Sequence, residues 1–216
     1  STGGHVWSTY LGGSGNESGG GIMLDGLGGV YVAGTTQSAG WVADGYDTSF
    51  AGDHDAFVAK LNSTGEHVWS TYLGGSLEDV GWAVASDGSG AAYVTGSTES
   101  AGWAAGGFDT SHNGNDDVFF AKLSSTGQNI WSTYLGGSSD DQSRGIASDG
   151  SGGVYVTGYT ESSGWAAGGS DTSHNGGQDA FVAKIGVGTA QIDGLQWHDL
   201  DGDGIQDAGE LGIDGV

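Results

Sequence analysis

The chain has 216 residues and a mass of 21.5 kDa, and its hydrophobic fraction of 36% is large enough to bury a core. Its 27 acidic residues against 4 basic ones give a net charge of −23, which argues against nucleic acid and anionic lipid as partners. The 47 glycines disfavour long helices, and no apolar run approaches the roughly 20 residues of a membrane span. Composition therefore predicts an all-β protein with no nucleic-acid partner and no membrane insertion.

A period of 62 residues runs through most of the chain. The stretch HVWSTYLGGS at 5–14 returns at 67–76, and NIWSTYLGGS follows at 129–138. The runs DAFVAKL, DVFFAKL and DAFVAKI keep the same spacing, and the last of them ends at residue 185. We therefore assign residues 1–185 to three repeats, which are 5–66, 67–128 and 129–185.

Each repeat contains four strand-like runs rich in Val, Tyr, Phe, Trp and Thr. In the first repeat these runs lie at 21–25, 29–35, 55–61 and 67–73. Short turns join most of them, but a long loop (36–54) follows the second run, and loops of this length usually carry function or packing of their own. Four antiparallel strands repeated at fixed spacing predict a partial β-propeller of three four-stranded antiparallel blades.

The residues that recur, WSTYLGGS, GVYVAGTT and DAFVAKLNSTG, resemble the SBBP family of bacterial β-propeller repeats over residues 5–185. The resemblance implies a secreted or surface-exposed repeat protein without catalytic activity. The chain departs from the family pattern in the long loop, where Trp41, Trp103 and Trp165 stand where a Phe-Pro pair is common.

The WSTYL run is predicted to be the outermost strand of each blade. Residues 5–11 are then an outer strand with no blade before them, and the third blade, which ends at Ile185, has no outer strand after it. This pattern is typical of a ring in which the N-terminal strand completes the last blade and hides its edge. Known propellers have about four to eight blades. Either the chain is therefore cut from a longer array, or two chains close a six-bladed ring as a homodimer.

A different kind of sequence follows residue 185. Residues 186–196 are a predicted linker, and DLDGDGIQDAGE at 199–210 fits the calcium-loop pattern D-x-[DN]-x-[DN]-G-x5-E at every specified position. Ca²⁺ prefers about six to eight hard oxygen ligands, and this spacing directs alternate carboxylates at one ion. The predicted Ca²⁺ ligands are the side chains of Asp199, Asp201, Asp203, Asp207 and Glu210, and the backbone carbonyl of Ile205.

No helical pattern flanks this loop, so a true EF-hand is not indicated. Residues 191–216 resemble the start of an SdrD B-like domain, a β-sandwich surface module, and 197–216 would be its calcium-loop start. The resemblance implies a calcium-binding module of the cell-surface kind, of which the chain holds a truncated portion. The alternative is a solvated acidic linker that binds no metal.

Three sets of side chains recur once in each repeat. Trp41, Trp103 and Trp165 are candidate ligand-binding residues, because aromatic rings in a row can stack on sugars; alternatively, they fill gaps between blades. The Asp-Thr-Ser triplets that begin at Asp47, Asp109 and Asp171 resemble those of aspartic proteases, but their repetition favours turn capping. Recurring lysines are predicted to pair with an Asp such as Asp47 or Asp55 of the same blade; they are Lys60, Lys122 and Lys184.

A catalytic site would normally break the repeat symmetry with acids unique to one repeat, and we identify no such break within 5–185. We therefore predict that the protein is not an enzyme. It is expected to be an extracellular or cell-surface scaffold for adhesion, with a protein or polysaccharide as partner and Ca²⁺ in the acidic loop. The alternative is a carbohydrate-binding propeller that uses the loop Trp residues, and a third interpretation is a polysaccharide-acting enzyme.

Overall fold

A computed structural model describes residues 2–86 and 88–186 of the protein. By its contacts the chain divides into Ser1–Gly186 and Val187–Val216. The described residues belong to the first of these units. The predicted linker, the calcium loop and the start of the β-sandwich module therefore lie outside the described residues.

The strands of the described region form three separate antiparallel sheets, which we call blades 1 to 3. Blade 1 contains β1 (Glu17–Leu24), β2 (Val30–Thr36), β3 (Asp55–Leu61) and β4 (His67–Leu73). Blade 2 contains β5 (Asp79–Ser86), β6 (Ala92–Thr98), β7 (Asp117–Leu123) and β8 (Asn129–Leu135). Blade 3 contains β9 (Asp141–Ser148), β10 (Gly153–Thr160) and β11 (Asp179–Gly186).

Each strand pairs with its neighbours in sequence, from the inner strands β1, β5 and β9 outward. The short turns account for the pairing of the first strand with the second and of the third with the fourth, because a tight turn permits only antiparallel pairing, whereas the second and third strands pair across the long loop. The predicted all-β architecture and the blade-like sheets are confirmed. The three blades do not close into a ring.

The core lies between stacked blades, which explains why the strands are apolar on both faces. Tyr31, Val58 and Trp69 of blade 1 join Val84 and Val94 of blade 2 in one buried cluster. All five side chains are at most 6% exposed. We call the side of a blade that points to the next blade its forward face, and the opposite side its rear face. Tyr31 thus lies on a forward face, and Val84 lies on a rear face.

The inner strands β1 and β5 approach each other closely because both contain glycine. A Cβ atom added to Gly20 would overlap the carbonyl oxygen of Gly81, which belongs to the neighbouring blade. β1 is also irregular between Gly19 and Gly21. Strand glycines at such a contact are typical of close backbone approach.

The long loop covers the outer edge of its own blade. The backbone N–H of Ser70 donates to the carbonyl of Ala43 at 2.7 Å, and that of Tyr72 donates to the carbonyl of Asp47 at 2.9 Å. Blade 2 repeats both bonds, from Ser132 to Ala105 and from Tyr134 to Asp109, at 2.8 and 2.9 Å. The outer strands β4 and β8 therefore do not present a free edge, which is how sheet proteins avoid edge-to-edge aggregation.

Two expectations about the ends of the array need correction. Residues 5–11 were predicted as an outer strand, but they belong to no sheet, because no strand among residues 2–86 and 88–186 lies beside them to complete the hydrogen bonds. The fold class was predicted as three four-stranded blades, whereas the described part of the third blade has three strands. This agrees with the prediction that no outer strand follows Ile185, since the WSTYL run does not recur after β11. Within the described ranges, no helix is long and apolar enough to cross a membrane.

Candidate functional site

The predicted calcium ligands lie outside the described residues. They are Asp199, Asp201, Asp203, Ile205, Asp207 and Glu210. Calcium binding at this loop stays a prediction that rests on the sequence pattern.

The loop tryptophans attach each long loop to its own blade. The indole N–H of Trp103 donates to Oγ1 of Thr98 at 3.1 Å, and its ring packs edge-on against Phe119 with 5.2 Å between centroids. The equivalent N–H bonds of Trp41 and Trp165 measure 3.1 and 2.9 Å. All three side chains are half-buried. Each Trp thus packs within a different blade, and their role in ligand binding stays a prediction.

A buried carboxylate lies beside Trp103 and joins several segments. Asp79, at the start of β5, accepts hydrogen bonds from the hydroxyls of Thr98 and Ser100 and from the backbone N–H of Gly75. Burial raises the pKa of Asp79 to about 6, although these three hydrogen bonds lower it. The network links the segment that enters blade 2, through Gly75, to the long loop that leaves β6, through Ser100.

The same network recurs in the other blades. In blade 3, Asp141 binds the hydroxyls of Thr160 and Ser162. In blade 1, Glu17 takes the place of the aspartate and accepts a hydrogen bond from Thr36 at 3.0 Å. In each blade, an acid, a Thr, a Ser and a Trp therefore hold in place the segment that enters the blade and the long loop.

The Asp-Thr-Ser triplets cap turns. The Oδ1 atoms of Asp47, Asp109 and Asp171 each accept the backbone N–H two residues ahead, at 2.8, 2.8 and 2.9 Å. This geometry matches the turn-capping interpretation.

The recurring lysines form structural contacts, but with a different partner from the one expected. Lys60 Nζ lies 3.6 Å from Oδ2 of Asp25 and 3.1 Å from the Tyr31 hydroxyl, rather than next to Asp47 or Asp55. Lys184 likewise lies 3.8 Å from Asp149. Burial would raise the pKa of Asp25, but backbone N–H donors from the turn and the Lys60 ammonium outweigh it and hold this pKa below its usual value.

One set of strand-end positions breaks the repeat symmetry, which corrects our expectation of no break. The set comprises the residue before each inner strand, the residue after the second strand and the residue before the third. Because neighbouring strands are antiparallel, the three positions lie side by side at the same end of a sheet. They are Asn16, Gln37 and His54 in blade 1; Glu78, Glu99 and Asp116 in blade 2; and Asp140, Glu161 and Gln178 in blade 3.

In blade 1 these side chains form a neutral chain of hydrogen bonds. Asn16 Nδ2 donates to Gln37 Oε1 at 2.7 Å, and Gln37 Nε2 lies 2.6 Å from His54 Nε2. In blade 2 the corresponding residues are all carboxylates. Comparing the repeats position by position at the 62-residue spacing would have revealed this difference from sequence.

The carboxylates of blade 2 line a small cavity of about 80 Å³ with Trp82 and Gln142. Burial, assisted by the charges of Glu99, Asp140 and Glu78, raises the pKa of Asp116 to about 6, against a hydrogen bond from Gln142 that lowers it. Within residues 2–86 and 88–186, no three acids or histidines adopt a metal-binding arrangement. This cavity is thus a place where the repeats differ.

A larger cavity lies on blade 3 beside β11, where the described residues contain no fourth strand. It has a volume of about 320 Å³ and is lined by Ser162, Trp165, His174 and Phe181, among others. In blade 2 the corresponding space holds the ring of Tyr134, which packs edge-on against Trp103. Trp165 therefore borders an open cavity.

Comparison with known families agrees with the blade architecture. The model of the SBBP β-propeller repeat family matches residues 6–40 and 130–164. Each matched segment begins with a WSTYL run and continues through the first two strands of the following blade. The chain is similar to β-propeller repeats in these segments. A search of curated proteins finds no significant match to the chain.

Proposed function

We propose that the protein is a non-catalytic scaffold of the secreted or cell-surface kind, which serves adhesion by presenting a rigid surface to a protein or polysaccharide. One observation carries this proposal: the acid-Thr-Ser-Trp network recurs in every blade and fixes the entry segment and the long loop. Networks repeated at the same position are typical of structural arrays. The similarity to β-propeller repeats supports a repeat scaffold, although a fold does not by itself specify a function.

Retention of defined polymers by the full chain tests this proposal. The immobilised protein is exposed to cellulose, xylan, chitin, alginate and collagen, and the release of reducing ends from each polysaccharide is measured in parallel. We expect retention of at least one polymer with no release of reducing ends. Release of reducing ends would support the enzyme interpretation, and failure to retain any of the polymers would contradict the adhesion proposal.

Calcium binding by residues 199–210 is part of the proposal and rests on the sequence pattern. Calorimetric titration of the full chain with CaCl₂ tests it. We expect heat from the unmodified chain and from Asp214→Ala, an acid outside the loop, and none from Asp199→Ala, which removes the first ligand. Absence of heat from the unmodified chain would contradict calcium binding.

A carbohydrate-binding function is the second candidate, because Trp165 lines an open cavity. The matched variants Trp165→Ala and Trp41→Ala separate it from the first candidate on a glycan array. Loss of binding in Trp165→Ala alone favours recognition of sugars in the cavity of blade 3. Equal binding by both variants and the unmodified chain would rule out the Trp platform.

A further inference from the structure

Two bonds characterise the junction between blades 1 and 2. The Tyr31 hydroxyl donates to the carbonyl of Gly90 at 2.6 Å, and the indole N–H of Trp69 donates to the carbonyl of Ser125 at 2.9 Å. The forward face of blade 1 is thereby covered by the rear face of blade 2. Equivalent contacts would be expected wherever a further blade packs against this array.

The forward face of blade 3 is uncovered. Val182 is 74% exposed, whereas its equivalents Val58 and Phe120 are fully buried. Tyr155 is 36% exposed, whereas its equivalents in blades 1 and 2 are fully buried. Exposed apolar side chains at positions that are buried elsewhere in the array mark an interaction surface.

The rear face of blade 1, which would contact the forward face of a preceding blade, is also uncovered. Ile22 is 70% exposed, and its equivalent Val84 is 6% exposed because it packs on blade 1. Leu24, on the same strand, is 64% exposed. The part of the chain that the structure describes therefore has one open forward face and one open rear face, the two surfaces that a blade junction combines.

Residues 5–11 already lie where an outer strand would be at such a junction. The indole N–H of Trp7 donates to the carbonyl of Ser63 at 3.2 Å, the bond that Trp69 makes with Ser125 one repeat later. Tyr10 is fully exposed, whereas Tyr72 is 1% exposed and donates its hydroxyl to the carbonyl of Ser38. Tyr10 thus lacks the blade that its equivalents have.

Blade 3 has the matching vacant slot. The cavity of about 320 Å³ is lined by Ser162, Trp165 and Phe181, the equivalents of Ser38, Trp41 and Phe57. In blade 1 this position accepts Tyr72, whose ring packs edge-on against Trp41. The slot on blade 3 is therefore shaped for a WSTYL strand, such as residues 5–11.

We propose that the slot and forward face of blade 3 bind a second copy of this chain, head to tail. Residues 5–11 of the second copy pair with β11 and place Tyr10 in the cavity beside Trp165, while Ile22 of that copy covers Val182. In a single chain, residues 5–11 lie against blade 1, at the other end of the three-blade array. Two such junctions between two copies close a ring of six blades, within the roughly four to eight of known propellers.

Disulfide trapping tests the pairing and its register. In blades 1 and 2 the register pairs Val58 with Thr71 and Phe120 with Thr133, so Thr9 of the second copy should face Val182. The chain has no cysteine, so each variant contains a single thiol. We expect a mixture of Thr9→Cys and Val182→Cys to form disulfide-linked dimers on oxidation. The control mixture of Thr9→Cys and Tyr155→Cys should not, since residue 155 lies on β10. Equal cross-linking of both mixtures, or of neither, would overturn the proposal.

Light scattering of the full chain tests the assembly independently. We expect twice the chain mass of 21.5 kDa, about 43 kDa. Val182→Asp and Ile22→Asp each place a charge on one of the two exposed faces, so each alone should give 21.5 kDa with an unchanged circular dichroism spectrum. Their mixture leaves one junction intact and should restore a dimer. A monomer in the unmodified chain, or a mixture that stays monomeric, would contradict head-to-tail docking.

Discussion

The indole N–H of Trp69 donates to the carbonyl oxygen of Ser125 at 2.9 Å, so the outer strand of blade 1 is bonded to the last hairpin of blade 2. Trp69 is 2% exposed and belongs to the core between these blades. One side chain thus contributes both apolar burial and a polar bond to the junction.

Replacing Trp69 by Phe should lower the free energy of unfolding by about 1–3 kcal/mol, since the carbonyl of Ser125 loses its donor and a void remains. Urea unfolding measures the change. The matched variant is Trp7→Phe, because Trp7 makes the equivalent bond at 3.2 Å but is 37% exposed. Under monomeric conditions it should cost less than about 0.5 kcal/mol. Equal losses in both variants would contradict this assignment.

Lysines at the same blade position should differ in their effect on stability. The side chain of Lys60 is 13% exposed beside a nearly buried Asp25, whereas that of Lys184 is 58% exposed. Lys60→Met should cost about 3 kcal/mol because it leaves a buried carboxylate without its cation. Lys184→Met should cost much less, because ion pairs at the surface are screened by solvent. Chemical denaturation compares the two, and a larger loss in Lys184→Met would refute this explanation.

The protein should become more stable as the pH falls from 7.5 towards 5. The folded-state pKa of Asp79 is about 6, above its ordinary value of 3.8, so the folded state binds this proton more tightly than the unfolded state. The stability linked to Asp79 is therefore lost as pH rises from 3.8 through 6, by on the order of 3 kcal/mol over that whole range and about half of this amount between pH 5 and 7.5.

Urea unfolding at the two pH values measures this dependence. The large net negative charge acts in the same direction, so the variant Asp79→Asn is needed to isolate the contribution of Asp79. It should show a smaller pH dependence than the unmodified chain, while the exposed control Asp53→Asn should not. Identical slopes for all three proteins would contradict a raised pKa at Asp79.

Gly96 should not tolerate a side chain. A Cβ atom there would overlap the carbonyl oxygen of Val80 and the ring of Phe119, and neither can move freely in the core. Gly96→Ala should therefore cost about 3 kcal/mol or more. Gly19→Ala is the control, because nothing lies within 4 Å of its added Cβ, and it should change stability by less than about 0.5 kcal/mol. Thermal and urea unfolding measure the stability of both variants. Similar losses in Gly96→Ala and Gly19→Ala would contradict this prediction.

The charge of Glu99 should influence the pKa of Asp116 at the strand ends of blade 2. Burial is the main cause of the raised pKa of Asp116, and Glu99 is the first of the like charges that add to it. Glu99→Gln should therefore lower the pKa of Asp116 from about 6, as measured by the carboxyl carbon shift in an NMR titration. Glu66→Gln, in a hairpin of blade 1, should leave it unchanged. An unaltered pKa in Glu99→Gln would show that burial acts alone.

Most of the strands could be predicted from the sequence, because their apolar runs and turn residues agree. β3 and β4 have the predicted bounds of 55–61 and 67–73. β1 was predicted to begin at residue 21 but begins at Glu17. Its run of glycines indicates a loop by composition, and it forms a strand because Gly20 and Gly21 pack against the backbone of blade 2. That contact depends on tertiary structure, which local pattern does not contain.

The candidate sites were less predictable, for a similar reason. The partner of Lys60 was expected to be an Asp such as Asp47 or Asp55, but Asp25 reaches it from the first hairpin, which the strand order places alongside. The difference between Asn16, Glu78 and Asp140 was visible in the sequence. Its significance depends on the sheet, which brings each of these residues next to the two other strand-end positions of its own blade.

The long loop along β4 also has a mechanical consequence. β4 is hydrogen-bonded to β3 on one side and to Ala43 and Asp47 of the loop on the other. A tensile force applied along this strand must therefore shear two rows of hydrogen bonds at once, instead of peeling one row bond by bond. Blades built in this way should withstand pulling better than sheets with a bare outer strand.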